Sequence, residues 1–243
     1  MKPVLLLIPG MFNTGAVWDA VREALRAHDD APQVRVADVL SQDSIAAMAQ
    51  DAWQQVSDLA PDAPLIVAGF SMGGYVALEL LANHPGRFSG LAMADSSAGV
   101  ESAESMVVRQ KTISALERNF ERTVEGIIAF SLHPQSLQHT ALVDGMRAMM
   151  HAVGAQNAIR QTRALMVRRD HRAMLSKWTR PTLVVCGRED KVTPPALSEE
   201  IKSLVPHAQL AWVDEAGHQT VLEQAPIVAQ HLMALVRQAI SAN

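Results

Sequence analysis

The 243-residue sequence predicts a three-layer α/β fold, in which helices flank a mostly parallel sheet of about six strands. Three observations lead there. Six short runs rich in Val, Ile and Leu fall at residues 4–8, 34–39, 65–69, 90–95, 182–186 and 210–214. Several are continuously apolar rather than alternating, as strands buried on both faces by helices should be. Between them, through residues 1–95 and again through 181–243, apolar residues recur three and four apart, the spacing of an amphipathic helix.

In chain order, strand 4–8 stops at Pro9-Gly10. Trp18, Val21, Ala24 and Leu25 then mark one helix, and Ile45, Met48, Ala49, Ala52, Trp53 and Val56 a second. Strand 65–69 runs directly into a helix carrying Val76, Ala77, Leu80 and Leu81, which stops near Asn83-His84-Pro85-Gly86. Residues 96–180 break the alternation. They hold no convincing strand but have amphipathic stretches at 105–120, 125–131, 142–153 and 155–167. Such an insertion between two parallel strands predicts a helical cap over the carboxyl edge of the sheet. The expected organisation is therefore a core of residues 1–95 and 181–243 with a cap of residues 96–180, closed by a last helix at about 227–240.

Composition narrows the function. With 49% hydrophobic and 19% charged residues the chain is too apolar for a disordered protein. Its net charge of −4 lacks the basic excess that binds nucleic acid or an anionic membrane surface. The apolar run at the N-terminus is too short for a secretory signal, and no run approaches the ~18 residues of a membrane span. The one cysteine, Cys186, lies inside an apolar strand and reads as a buried hydrophobe in a reducing, cytoplasmic setting. The histidine spacing suggests no metal site. Oligomeric state is not legible.

The chemistry concentrates at Ala68-Gly69-Phe70-Ser71-Met72-Gly73-Gly74, which places G-x-S-x-G where a strand meets a helix. A serine on that sharp turn projects its hydroxyl above the sheet, with the positive helix N-terminus beneath it. Serine needs a base, itself oriented by an acid. His218, in Glu215-Ala216-Gly217-His218 past the last strand, is the expected base. Asp190, in Gly187-Arg188-Glu189-Asp190 after the fifth strand, is the expected acid, with Asp95 at the end of the fourth strand as second candidate. An oxyanion needs two backbone donors. Met72 N–H supplies one, and the loop Pro9-Gly10-Met11-Phe12-Asn13-Thr14 the other, best at Met11.

These motifs, with Thr193-Pro194 and Leu222-Glu223, resemble the α/β-hydrolase superfamily over nearly the whole chain. Two features depart from it: Pro9-Gly10 stands where many relatives have His-Gly, and the chain opens on the strand before the oxyanion loop, so a sheet of about six strands without the two usual earlier ones is expected. Among capped members the chain is similar to small carboxylesterases, including pimeloyl-carrier-protein methyl ester esterases, and to enol-lactone hydrolases. The resemblance implies hydrolysis of a small-molecule carboxylic ester through an acyl-enzyme, without a cofactor. Thioester, lactone or C–C bond cleavage would use the same residues. Cofactor-free oxygenase or lyase chemistry, or ligand reception on a hydrolase scaffold, are the alternatives.

For substrate, Phe12, Met146, Met149 and Met150, with Val153, are expected to line an apolar acyl pocket, or else to pack the cap helices together. Such a pocket predicts apolar acyl groups in preference to charged ones. Arg168, Arg169 and Arg172 read as a solvated helix face, with an acidic substrate or carrier protein as the alternative.

Overall fold

The computed structural model describes residues 1–242. Six strands, β1 (Val4–Ile8), β2 (Gln33–Val36), β3 (Leu65–Phe70), β4 (Gly90–Ala94), β5 (Thr182–Gly187) and β6 (Gln209–Val213), form one sheet in the order β2-β1-β3-β4-β5-β6. Every pairing is parallel. The continuously apolar runs β1, β3, β4 and β5 occupy the interior and are buried throughout, whereas the edge strands β2 and β6 are partly exposed. Strand β2 ends three residues before the expected boundary. It pairs only with β1, and the next β1 residue, Pro9, has no N–H to extend the ladder.

Successive side chains of a strand point to opposite faces, and two cores result. Val4, Leu6 and Ile8 pack on the side of α2 (Ile45–Gln54), α3 (Met72–Asn83) and α8 (Pro195–Leu204). Leu5 and Leu7 pack on the side of α1 (Asp19–Arg26) and α10 (Ala225–Ser241). Helix α8 has no counterpart among the sequence expectations, because only Ser198 and Ile201 of it are buried and the apolar stripe is thin.

Between β4 and β5 the chain forms only helices: α4 (Ala103–Arg118), α5 (Phe120–Ser131), α6 (Thr140–Met166) and the single turn α7 (Arg172–Leu175), besides one short 3₁₀ turn. The expected helix 105–120 ends two residues early and its successor starts five residues early. Asn119 does both: it leaves helical geometry, closes α4, and caps α5 by accepting the Arg122 N–H at 3.0 Å. The helices expected at 142–153 and 155–167 form one α6 interrupted at Gly154, whose φ of +74° suits a glycine. This insertion has its own apolar cluster, built from Ile113, Leu116, Val124, Ile128, Met146, Met150, Val153 and Ile159, and Phe12 reaches into it from the loop after β1.

A short helix α9 (Thr220–Glu223) links β6 to α10. Parallel pairing brings the carboxyl ends of β1, β3, β4, β5 and β6 to one edge, where a parallel α/β sheet binds its ligands. Four non-glycine residues have positive φ, and each follows a strand at this edge: Phe12, Ser71, Asp95 and Glu215. Backbone held in such sparsely populated regions costs on the order of 1–3 kcal/mol per residue and clusters where geometry serves function.

Candidate active site

Ser71 sits at the junction of β3 and α3 with φ +50° and ψ −116°. The turn is anchored by Ser71 N–H donating to Ala94 O at 2.9 Å and by Ser96 Oγ–H donating to Ser71 O at 2.8 Å. It also requires its glycines. A Cβ on Gly69 would lie 2.2 Å from Gly73 O, and one on Gly73 would lie 2.2 Å from Ile8 O.

His218 reaches Ser71 from the loop after β6, with Nε2 2.9 Å from Ser71 Oγ. Its Nδ1 lies 2.9 Å from Asp190 Oδ2. The carboxylate only accepts, so Nδ1 carries the proton and Nε2 is left to accept from the serine hydroxyl. Asp190 is nearly saturated: Val192 N–H and Thr193 N–H donate to Oδ1 at 2.8 and 2.9 Å, and Thr193 Oγ–H donates to Oδ2 at 2.7 Å. Burial would raise the Asp190 pKa, but the His218 charge and these donors overcome it and hold the carboxyl below its ordinary value. Burial would likewise lower the His218 pKa. The Asp190 charge and hydrogen bond, with a smaller push from Asp95, outweigh it and raise the imidazole above its ordinary value, while Arg109 opposes.

Asp95, the second candidate acid, does not touch His218. Oδ1 accepts Gly187 N–H at 3.0 Å, and Oδ2 accepts Thr220 N–H at 3.3 Å and the Thr220 hydroxyl. It thereby ties together the loops that carry Asp190 and His218. Complete burial, and then the nearby Asp190 charge, push its carboxyl well above the usual carboxylate range. Asp95, Cys186 and Asp190 present ligand-type atoms within 4.8 Å of one another, yet both carboxylates are engaged by protein donors. Burial pushes the Cys186 thiol up to about 12, in keeping with its expected packing role.

Met72 is the first residue of α3, so its N–H is one of the donors that the helix itself leaves unpaired. Met11 N–H likewise has no protein acceptor among the described residues. The next residue does: Phe12 N–H donates to Gln161 Oε1 at 3.0 Å, and Gln161 Nε2 donates to Val39 O at 3.0 Å. Gln161 is wholly buried on α6 and fastens the loop after β1 to the insertion. The insertion also holds His218, whose N–H donates to Ser131 O at 2.7 Å. Glu223 closes the same loop from α9, taking Gly217 N–H at 2.9 Å, Gln219 N–H at 3.1 Å and His133 N–H at 2.7 Å. Gln161, Ser131 and Glu223 were outside the sequence expectations for the site. Only Glu223 stood in a motif from which it could have been found.

Above Ser71 and His218 lies a cavity of about 420 Å³. Phe12, Met146 and Met150 line it, with Met11, Ile127, Phe130 and Leu165. Met149 does not, contrary to expectation. It is buried in the apolar cluster on the α1 and α10 side of the sheet, turned away from its helical neighbours Met146 and Met150. Of the three arginines only Arg168 departs from a solvated face: it is buried, stacks over Tyr75 at 4.2 Å and pairs with Glu101. Arg169 is exposed and Arg172 partly exposed, as expected, and they pair with Glu79 and with Asp170 and Glu200. His171, on the same connection, is buried against Glu79 at 2.9 Å.

Residues 33–225, which include Ser71, Asp190 and His218, match the model of a hydrolase family described as serine aminopeptidase, S33. The chain belongs to that family. Among relatives of this S33-family hydrolase, a pimeloyl-[acyl-carrier protein] methyl ester esterase of Neisseria meningitidis is 28% identical, over 88% of this chain and 81% of its own. A putative carbamate hydrolase of Serratia proteamaculans is 28% identical over 90% of this chain and 85% of its own. In fold, the hydrolase superposes on a malate-bound thermophilic esterase from Thermogutta terrifontis with a TM-score of 0.86 at 23% identity, covering 98% of this chain and 91% of the other. No helix among the described residues is long and apolar enough to cross a membrane.

Proposed function

We propose that this hydrolase cleaves carboxylic esters of small substrates through an acyl-serine intermediate, with Ser71 as nucleophile, His218 as base and Asp190 as the acid that orients it. The 2.9 Å approach of His218 Nε2 to Ser71 Oγ carries this reading. Ser71 Oγ bonds to the ester carbon as its proton passes to Nε2. Met11 and Met72 N–H groups hold the oxyanion, and Asp190 stabilises the imidazolium. On collapse, the departing alkoxide takes the proton from Nε2 and leaves as the alcohol. Water then gives a proton to Nε2 and its oxygen to the acyl carbon. The acid departs and the proton returns to Ser71 Oγ.

Residues 96–180 act as the cap, and Phe12, Ile127, Met146 and Met150 form the wall for the acyl chain. Methionines suit this role because they fit irregular apolar shapes at little cost. The esterase among the relatives supports ester hydrolysis. A cytoplasmic setting suits the single buried thiol. A fluorophosphonate tests the reading: it should label Ser71 alone, and p-nitrophenyl hexanoate should be turned over by the wild type and not by Ser71→Ala. Labelling at another serine, or oxygen uptake that survives Ser71→Ala, would replace it with a different chemistry.

A further inference from the structure

The cavity above Ser71 is mainly apolar but holds one charged side chain that ester hydrolysis does not use. Arg109, on α4, lines it together with Val108 and Thr112 of the same helix. No aspartate or glutamate lines the cavity, so Arg109 and His218 are its only ionisable groups besides Tyr75 and the serine. The arginine is three-quarters buried, at 24% side-chain exposure, and is not cancelled by its neighbour. Its Nε donates to Glu101 Oε1 at 3.0 Å, but Glu101 is simultaneously held by the buried Arg168, which pairs with the same oxygen.

Two guanidiniums therefore share one carboxylate, and the surplus positive charge lies on the cavity side. Among the described residues, no protein acceptor is recorded for the Arg109 Nη groups. That charge is felt at the reaction centre, since it lowers the His218 pKa against the pull of Asp190. A structural arginine satisfies its fork on the protein, as Arg168 does with Gly99 O, Leu165 O and Glu101. Arg109 keeps its fork for something in the cavity. A guanidinium fork in a low-dielectric pocket selects a carboxylate or phosphate by charge-assisted, frequently bidentate, hydrogen bonds.

We propose that Arg109 is an anion-recognition site and that the natural substrate is an ester bearing a carboxylate or phosphate oxygen group away from the scissile bond. This rests on the esterase reading of the same cavity. It reverses the preference for neutral over charged acyl groups that methionine content alone predicts.

Matched ester pairs test it. p-Nitrophenyl hydrogen adipate against p-nitrophenyl hexanoate places the anion on the acyl chain; 3-carboxyphenyl acetate against phenyl acetate places it on the leaving group. In at least one pair, Arg109→Gln should lower the ratio of kcat/KM for anionic over neutral ester at least tenfold, chiefly through KM. Arg109→Lys, which keeps the charge and loses the fork, should restore part of the ratio. A ratio unchanged within twofold for both pairs would overturn the proposal. If the wild type hydrolyses none of the four esters, the esterase reading fails instead. The site is then judged by calorimetric binding of adipate to wild type and Arg109→Gln, where tenfold weakening supports it and equal affinity overturns it.

Discussion

The sheet edge and the helical insertion both reach the reaction centre, but by different routes. At the edge, Ser71, Asp190 and His218 each follow the end of a strand within a few residues, and parallel pairing brings those ends together. From the insertion, Arg109, Ser131 and Gln161 arrive from the middle or end of helices whose local sequence gives no sign of a site. The first set places the reacting atoms. The second holds the loops and shapes what enters. A strand end is a position that topology dictates, whereas a helix side chain meets a distant loop only after tertiary packing decides how the helix lies.

The largest effect should come from the edge. Ser71→Ala should abolish ester turnover, by on the order of 10⁴-fold or more, with a melting temperature close to wild type. A collapse in stability would mean that the serine is part of the scaffold instead. Asp190→Asn should cost about 10⁴-fold in kcat, as loss of the acid does in a protease triad. Asp95→Asn should spare turnover to within about tenfold but lower stability by about 1–2 kcal/mol, because one of its two loop contacts loses an acceptor. The reverse ranking would move the acid to the end of β4.

The insertion predicts intermediate effects. Gln161→Ala strands the buried Phe12 N–H and Val39 O and should lower stability by about 1–3 kcal/mol. It should also lower kcat by roughly 10–100-fold, less than the about 10²–10³ of losing an oxyanion donor outright, because the proposed donor at Met11 adjoins the released residue and is displaced rather than removed. Unchanged kcat would show that the loop after β1 holds its shape without the insertion. Met149→Trp should cost about 1–3 kcal/mol through overpacking and leave the acyl-length profile unaltered, whereas Met150→Ala should move the profile toward longer chains.

The smallest effect is a shift in pH dependence. His218 must be neutral to accept the proton, and its pKa is raised, so kcat/KM should rise with pH through a midpoint above the ordinary histidine value of about 6.5. The groups acting on it are Asp190 and Asp95, which raise that midpoint, and Arg109, which lowers it. Asp190→Asn should therefore move the limb down and Arg109→Gln move it up. For stability the sign is the reverse of that for activity. A raised histidine pKa contributes fully below the unfolded value and is lost as pH rises through the folded one.

How much the sequence reveals depends on how local each cause is. G-x-S-x-G at a strand-to-helix junction, a Gly-His after the last strand and an aspartate after the fifth are each readable within about seven residues. The sequence favours Asp190 as the acid but keeps Asp95 as second candidate, because both follow strands, and the loop geometry brings only Asp190 Oδ2 to the imidazole. Three methionines and a valine of α6 show the limit most clearly. Met146, Met149, Met150 and Val153 are alike in sequence. One rotation of the helix sends Met149 to a different cluster from the other three, and helical periodicity alone says which residues share a face, not which neighbour that face meets.

The sequence by itself determined the α/β architecture, the helical nature of residues 96–180 and which serine and histidine are proposed as nucleophile and base. Those follow from apolar periodicity and from backbone turns that few residues tolerate, and both act over a turn or a strand. Only the tertiary structure decided that Arg168 is a buried strut while Arg109 faces the cavity. The two lie 59 positions apart in the sequence and share the single carboxylate of Glu101. Which of two guanidiniums a carboxylate satisfies depends on burial and angle, and these exist only once the helices have packed.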